Sequence, residues 1–139
     1  MHRLTQSAFG EYTWLNPPSG ALRESEESIR KDLERSGGAL ALMDGRAVGC
    51  LRFDRQDGDL HVYRVAVDPA SQARGIGTAL MAWIHNYAHG EGYQAVRLGV
   101  RRQLPRNQRF YERLGYEVIA EHRHPGFADV TWVEMRRPV

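Results

Sequence analysis

A glycine-rich segment between two regular elements constrains the fold of this chain more than any other feature. The segment, Gln72-Ala73-Arg74-Gly75-Ile76-Gly77-Thr78, follows an apolar run at 60–67 and opens a stretch with helical spacing of apolar residues. The first N–H groups of a helix have no partner within it, and the helix dipole favours an anion there. Glycine also lets the backbone approach a phosphate without a Cβ in the way. The segment therefore predicts either a phosphate-binding loop or a plain strand-to-helix turn, because short glycine motifs also occur by chance.

Helical and strand patterns alternate along the rest of the chain, without a repeat or a linker. Apolar spacing and capping signals predict helices over the N-terminal residues to about 15 and at 25–35, 76–90 and 105–114. β-Branched and alternating apolar residues predict strands at 39–43, 47–53, 60–67, 94–100, 118–124 and 131–136. Asp-Gly pairs at 44–45 and 57–58 favour tight turns. This order of elements predicts a single domain over residues 1–139.

Composition and charge exclude several classes of function. The chain has 139 residues, a formal net charge of +2 and a charged share of 26%, as is typical of a globular domain. Its apolar runs are shorter than the roughly 18 residues of a membrane span, and its N-terminus lacks the apolar core of a signal peptide. A basic helix face of the nucleic-acid-binding type is also missing. We therefore expect no nucleic acid and no membrane partner, and the single cysteine, Cys50, favours a reducing compartment, the cytoplasm.

Two motifs in the second half of the chain together resemble the GCN5-related N-acetyltransferase (GNAT) family. The first, Gln72-x-x-Gly75-x-Gly77, matches the Arg/Gln-x-x-Gly-x-Gly/Ala loop of the family. The second, NQRFYERLGYEV at 107–118, resembles a short helix that carries a tyrosine and ends in Leu-Gly-Phe/Tyr. A Walker loop is excluded because it needs Gly-Lys-Ser/Thr, and the dinucleotide fingerprint is excluded because Leu80 stands where a third glycine is required. The resemblance extends from about residue 39 to the C-terminus.

The resemblance implies a fold and a coenzyme. The fold is an α/β (α+β) domain whose mixed central sheet splays between two central strands, with helices on both faces and without the usual first strand. The coenzyme is acetyl-CoA, used as a cosubstrate without a metal, and its binding core lies at about 60–115. The pantetheine arm is expected along the backbone of Val65, Ala66 and Val67. The pyrophosphate is expected at the glycine-rich segment, on Gln72, Ala73, Arg74, Gly75, Ile76, Gly77 and Thr78.

The resemblance also implies direct acetyl transfer to a primary amine in a ternary complex, with Tyr111 as the catalytic residue. A phenol can protonate the departing thiolate, because its pKa of about 10 lies above the roughly 8.5 of a thiol. The other interpretation of Tyr111 is packing on the apolar helix face beside Phe110. A backbone N–H near Val67 is the expected donor to the thioester oxygen. The amine acceptor, a small molecule or a peptide, is not identified by the sequence, and a non-catalytic acyl-CoA-binding module is the alternative function.

One departure from the family pattern leaves the general base unassigned. Many relatives carry a glutamate in the stretch where Tyr63 and Arg64 stand here. His61 or His124 is a candidate that would act through water, since histidine titrates near neutrality. Arginines near the expected cleft are either solvated at strand edges or able to recognise an acidic acceptor: Arg64, Arg101, Arg102 and Arg123.

Other side chains have a functional and a structural interpretation. Many relatives have an asparagine where Leu104 stands, so Asn107 either contacts the coenzyme or caps the following helix. Cys50 is expected to be a buried, inert thiol rather than an acyl carrier, because its neighbours are apolar. His85 and His89 have the spacing of a metal pair, but a third ligand is missing and the last turn of a helix favours histidine in any case.

The N-terminus predicts an exposed sheet edge. Leu4, Ala8, Tyr12 and Leu15 recur at helical spacing, so the chain is expected to start inside the first helix of the family, either natively or by truncation. The apolar strand at 39–43 then loses its usual neighbour, and such an edge is normally covered. We expect a homodimer contact or the N-terminal segment to cover it, and we prefer the homodimer.

Overall fold

The computed structural model describes residues 1–10, 14–72 and 75–139. Its helices are α1 (His2–Phe9), α2 (Glu26–Arg35), α3 (Ile76–Gly90) and α4 (Pro105–Arg113). Its strands are β1 (Gly37–Met43), β2 (Arg46–Gln56), β3 (Asp59–Val67), β4 (Ala95–Arg101), β5 (Glu117–His122) and β6 (Trp132–Pro138). Among the described helices, none is both long enough and apolar enough to cross a membrane.

One mixed sheet contains all six strands in the order β1-β2-β3-β4-β6-β5. The hairpins β1–β2 and β2–β3 close at the two Asp-Gly pairs, whose φ values are all positive: Asp44 52°, Gly45 75°, Asp57 50° and Gly58 85°. Two consecutive residues with positive φ are typical of the type I′ turn, whose twist matches that of the flanking strands. The predicted turns and the predicted three-strand meander are confirmed.

The parallel pair β3–β4 splays apart, as the family resemblance implies. Leu60 and His61 of β3 pair with Val96 and Arg97 of β4, and the ladder ends there although both strands continue. On its other side β3 pairs with β2 through an irregular register, and Arg64 at this point has a φ of 53°. A bulge of this kind bends a strand and increases its twist. The second half of β3 therefore turns away from β4 and leaves a cleft between the strands.

Helices cover both faces of the sheet. Along β2, Leu51 points into the main core with Met81 and Ile84 of α3, and all three are fully buried. Cys50 and Arg52, its neighbours in the strand, point to the other face, where they contact α1 and α2. Side chains of α4 join the main core on the α3 side. The predicted α/β fold, with helices on both faces of a splayed sheet, is confirmed.

The N-terminal helix and the edge strand differ from the predictions in part. Helix α1 ends at Phe9, so the helix predicted to about residue 15 is too long, and Tyr12 lies outside the described residues. The first ten residues contain α1 and no strand. Because α1 packs over β2 and β3, it leaves Leu40 51% and Leu42 66% exposed on the edge strand β1. Helix α1 therefore does not cover these residues, and the homodimer contact stays a prediction.

Candidate active site

A cavity of about 490 Å³ lies where the second half of β3 meets the start of α3 and the helix α4. The glycine-rich segment contributes five described residues to its lining: Gln72, Gly75, Ile76, Gly77 and Thr78. The other predicted site residues that line it come from β3 and α4: Val65, Val67, Asn107 and Tyr111. The fold thus brings residues from both sequence motifs into one space, which we call the loop cavity.

One described residue that was predicted to contact the coenzyme, Ala66, is not part of this lining. The side chain of Ala66 is buried against α1 with Leu4 and Cys50. Only the backbone of Ala66 can therefore take part in the predicted contact. Ala73 and Arg74 lie outside the described residues.

Two glycines open the first turn of α3 towards the loop cavity. Gly75 occupies the N-cap position with a φ of 74°, a left-handed conformation that side chains disfavour. A Cβ on Gly77 would lie 3.5 Å from the Phe110 ring and 3.9 Å from Val67, so a longer side chain would extend between these lining residues. The Ala79 N–H donates to the Gly75 carbonyl at 2.9 Å. The helical amides before it have no carbonyl partner within the helix, which is an arrangement that suits an anion.

Aromatic packing positions Tyr111 in the wall of the loop cavity. Its ring packs edge-to-face on Phe110 and on Tyr116, with centroids 5.0 and 5.6 Å apart. The Tyr116 hydroxyl lies 2.7 Å from Nε2 of His85. Burial lowers the pKa of His85 to about 4 and raises the pKa of Tyr116, so both groups are neutral at pH 7. Tyr111 therefore both packs on its neighbours and lines the loop cavity. His85 is bonded to Tyr116, one of these neighbours.

A second cavity, of about 630 Å³, adjoins the first along β3. Its lining includes residues of the splayed strands β3 and β4 and two residues near the C-terminus: His61, Tyr63, Arg64, Gly99, Val100, Arg101, His124 and Trp132. Phe9 of α1 lines both cavities, so the two spaces share a wall. We call the second space the histidine cavity, after His61 and His124.

Both histidines that the sequence offers as general bases face the histidine cavity. Nδ1 of His61 lies 3.0 Å from Oδ1 of Asp54. Nδ1 of His124 lies 2.5 Å from the Thr131 hydroxyl, and burial together with the nearby Arg101 lowers the pKa of His124. A histidine with a lowered pKa is neutral at pH 7 and can accept a proton. The fold thus positions both candidates near one another, and the role of each stays a prediction.

The four arginines singled out in the sequence separate into two pairs. Arg64 and Arg101 line the histidine cavity. Arg102 is exposed and pairs with Glu121, and Arg123 is exposed and donates to a backbone carbonyl. Of the four, only Arg64 and Arg101 line the histidine cavity.

The structure tests the structural interpretations of Asn107 and Cys50, and the coenzyme contact of Asn107 stays a prediction. Helix α4 begins at Pro105 with Leu104 at the N-cap, so Asn107 lies inside the first turn. The capping interpretation of Asn107 is therefore wrong, and its side chain lines the loop cavity. Cys50 is 1% exposed and burial raises the pKa of its thiol, which confirms the expected buried cysteine. Across the described residues, three His, Cys, Asp or Glu side chains are nowhere grouped as metal ligands would be.

Sequence reasoning missed several described residues that line the loop cavity: Ala8, Phe9, Arg106 and Phe110. Arg106 and Phe110 directly precede Asn107 and Tyr111, and residues four apart share a helix face. The face of α4 that carries Arg106 and Phe110 adjoins the one that carries Asn107 and Tyr111, so both residues could have been predicted from the helix pattern. Ala8 and Phe9 come from the distant helix α1, and nothing in their local sequence points to the cavity.

Comparison with known proteins identifies the class to which this fold and site belong. The Acetyltransferase (GNAT) family matches residues 2–116, and the chain belongs to this family. The family resemblance seen in the two motifs is therefore confirmed.

Solved acetyltransferase structures share the fold. The ribosomal-protein-S18-alanine N-acetyltransferase from Escherichia coli is 20% identical with a TM-score of 0.79, covering 99% of this chain and 84% of that one. The PaiA N-acetyltransferase from Thermoplasma acidophilum, in complex with coenzyme A, is 18% identical with a TM-score of 0.79, covering 99% and 90%. A GNAT family acetyltransferase from Elizabethkingia anophelis with acetyl-CoA bound is 17% identical with a TM-score of 0.69, covering 83% and 84%. At these identities the likeness establishes the fold.

Proposed function

We propose that this protein transfers an acetyl group from acetyl-CoA to a primary amine. The observation that carries the proposal is the loop cavity, in which the glycine-rich segment, the diverging half of β3 and Tyr111 lie together. Membership of the GNAT family supports the reaction class. The coenzyme complexes of similar structures support the choice of coenzyme.

Backbone groups provide most of the coenzyme binding in this proposal. The N–H groups at the start of α3 bind the pyrophosphate, and the helix dipole adds to the attraction. The edge of β3 near Val65 and Val67 is not paired with β4, so the pantetheine amides can add to it as a further strand would. Arg106, exposed at the cavity, adds a positive charge that suits a phosphate.

Acetyl transfer takes place where the two cavities adjoin. The amine nitrogen bonds to the thioester carbon, and the proton it loses passes through water to a base, for which His61 and His124 are the candidates. A backbone N–H of β3 near Val67 stabilises the oxyanion. As the C–S bond breaks, the Tyr111 hydroxyl donates its proton to the departing sulfur. The acetyl group therefore passes directly from coenzyme to acceptor, without a covalent enzyme intermediate.

Thiol release from acetyl-CoA, measured across a panel of amines, tests the proposal. The panel contains amino acids, polyamines, aminoglycosides and peptides with a free N-terminus or a lysine. We expect thiol release with at least one amine and a product whose mass has increased by one acetyl group. Binding of CoA without release for any amine would support the acyl-CoA-binding module instead. Failure to bind any CoA compound would make the glycine-rich segment a plain turn.

A further inference from the structure

The acidic side chains that line the described wall of the histidine cavity are already engaged. Asp54 lies 3.0 Å from Nδ1 of His61. Asp32 accepts a hydrogen bond from Arg52 at 3.3 Å and one from Arg35 at 2.8 Å. A cationic acceptor such as a polyamine is recognised by carboxylates that are not already bound to other groups. These two carboxylates have other partners, so the cavity is poorly suited to a second positive charge.

Arg64, which lines the cavity, shares its carboxylate partner with a second arginine. Oε1 of Glu24 accepts from Arg52 at 2.6 Å and from Arg64 at 3.3 Å. Asp32 bonds to the same Arg52 and to Arg35. Arg52 therefore makes the two shorter contacts with Glu24, and Arg64 makes the longest of the three. Its charge is only partly compensated on the side that lines the cavity.

Arg101 has no carboxylate partner among residues 1–10, 14–72 and 75–139. Its guanidinium donates instead to the backbone carbonyls of Pro17 at 2.6 Å and Pro18 at 3.2 Å. Burial, together with the nearby charge of Arg64, lowers the pKa of Arg101. The positive charge of Arg101 is thus less favourable here than in water, and attraction to a bound anion would offset both effects.

We propose that the acceptor is a small primary amine that also carries a carboxylate, and that Arg101 and Arg64 bind this carboxylate. This names the acceptor class of the proposed acetyltransferase and therefore rests on that function. Arg64 belongs to β3 and Arg101 to β4, so the two side chains approach the cavity from the two strands that splay apart. Val65, next to Arg64, already lines the loop cavity. A compact amino carboxylate held here has its amine close to the thioester site, whereas an extended polyamine would find the described lining acids, Asp32 and Asp54, already engaged.

Paired acceptors test this inference on the unmodified protein. Glycine, β-alanine, L-alanine and L-glutamate are each compared with the matching carboxamide, and putrescine is included as a cationic amine. Rates of thiol release are expressed per concentration of neutral amine, because a carboxamide changes the amine pKa. We expect kcat/KM to be at least about tenfold higher for the carboxylate member of the best pair, as a charge-assisted contact is lost in the carboxamide.

A charge-removing variant and its neighbour test which residue is responsible. Arg101→Gln removes the charge and keeps a polar side chain with one amide nitrogen as donor, and we expect it to raise KM for the amino carboxylate about 10- to 100-fold. The carboxamide should change little, so the preference is lost. Arg102→Gln is the matched control, because Arg102 is exposed and outside the cavity lining, and it should keep the preference. A CoA-dependent rise in melting temperature confirms that each variant is folded.

The outcomes separate this inference from the function on which it rests. Equal or better use of carboxamides or putrescine contradicts the inference and leaves the acetyltransferase in place. Acetylation of other amines but of no amino carboxylate has the same meaning. A preference that survives Arg101→Gln removes Arg101 from the site. If that variant does not fold, the comparison on the unmodified protein still decides. Absence of any CoA binding to the unmodified protein contradicts the proposed function itself.

Discussion

The loop cavity and the histidine cavity share a wall but are lined by different chemical groups. The loop cavity is formed by helix N-terminal amides, glycines, valines and three aromatic rings, drawn mostly from two stretches of sequence. The histidine cavity also has charged and histidine side chains in its lining, which several separate elements contribute and of which some are held by ion pairs. A surface of backbone amides suits a ligand that is the same in every reaction, and ligand binding to it is sensitive to a bulkier side chain. A surface of charged side chains suits a variable ligand and is sensitive to changed charge.

Tyr111 is the exception to this contrast, because it is a reactive side chain in the backbone-built cavity. Tyr111→Phe removes the proton donor and keeps the ring that packs on Phe110 and Tyr116. We expect turnover to fall about 10²- to 10⁴-fold, with an unchanged CoA-dependent rise in melting temperature. Tyr93→Phe is the control, since Tyr93 packs beside Arg55 away from both cavities. Equal turnover in Tyr111→Phe and wild type would make Tyr111 a packing residue.

Added bulk at Gly77 tests whether the loop cavity holds the coenzyme. Gly77→Val directs its side chain between Phe110 and Val67, into the space proposed for the pyrophosphate. A ligand present at 100 times its Kd stabilises a fold by about 2.7 kcal/mol, and we expect most of this CoA effect to be lost. Gly90→Val, at the open end of the same helix, controls for the loss of a helical glycine. A CoA-dependent melting shift of wild-type size in Gly77→Val would exclude the loop from the site.

The pair formed by His85 and Tyr116 behind the loop cavity predicts an acid-sensitive fold. The pKa of His85 is about 4 in the folded protein, whereas an unfolded histidine has a pKa of about 6.5. Between these values the unfolded chain binds more protons, so stability falls as the pH drops from about 6.5 to about 4. We expect the melting temperature of wild type to fall more steeply over this range than that of His85→Gln. Parallel curves for the two proteins would show that His85 does not titrate as the structure indicates.

The edge strand β1 lies outside both cavities and carries the predicted homodimer contact. If a second copy covers it, Leu42→Lys should convert a dimer into a monomer in light scattering, because an edge lysine opposes strand pairing. Val118→Lys is the control, since Val118 is 41% exposed on β5 at the opposite edge of the sheet. Acetyl transfer should be unaffected by either change. A wild-type monomer at micromolar concentration would contradict the prediction.

Local sequence signals located the loop cavity because glycines and a helix start can be recognised from a short stretch of sequence. Gly75 and Gly77 specify a turn conformation and an open helix start, and the tyrosine motif follows on a single helix. The histidine cavity could be located only in part. His61 and Arg101 were identified as candidates, but the contact of Asp54 with His61 depends on strand register.

Element ends were also missed for physical reasons. The strand predicted at 47–53 continues to Gln56. Its last residues are polar and show no apolar alternation, but they belong to the strand because they pair with β3. The helix predicted to about residue 15 ends at Phe9, because apolar spacing continues beyond the point where the chain leaves the helix. The spacing of apolar residues alone does not show where a helix ends.

The central claim is that coenzyme and acceptor occupy adjoining cavities at the same time, so that the acetyl group passes directly between them. Initial rates measured over a matrix of acetyl-CoA and acceptor concentrations test this claim most directly. We expect double-reciprocal lines that intersect, together with an unmodified protein mass after incubation with acetyl-CoA alone. Parallel lines, with one acetyl group retained on the protein in the absence of acceptor, would contradict direct transfer.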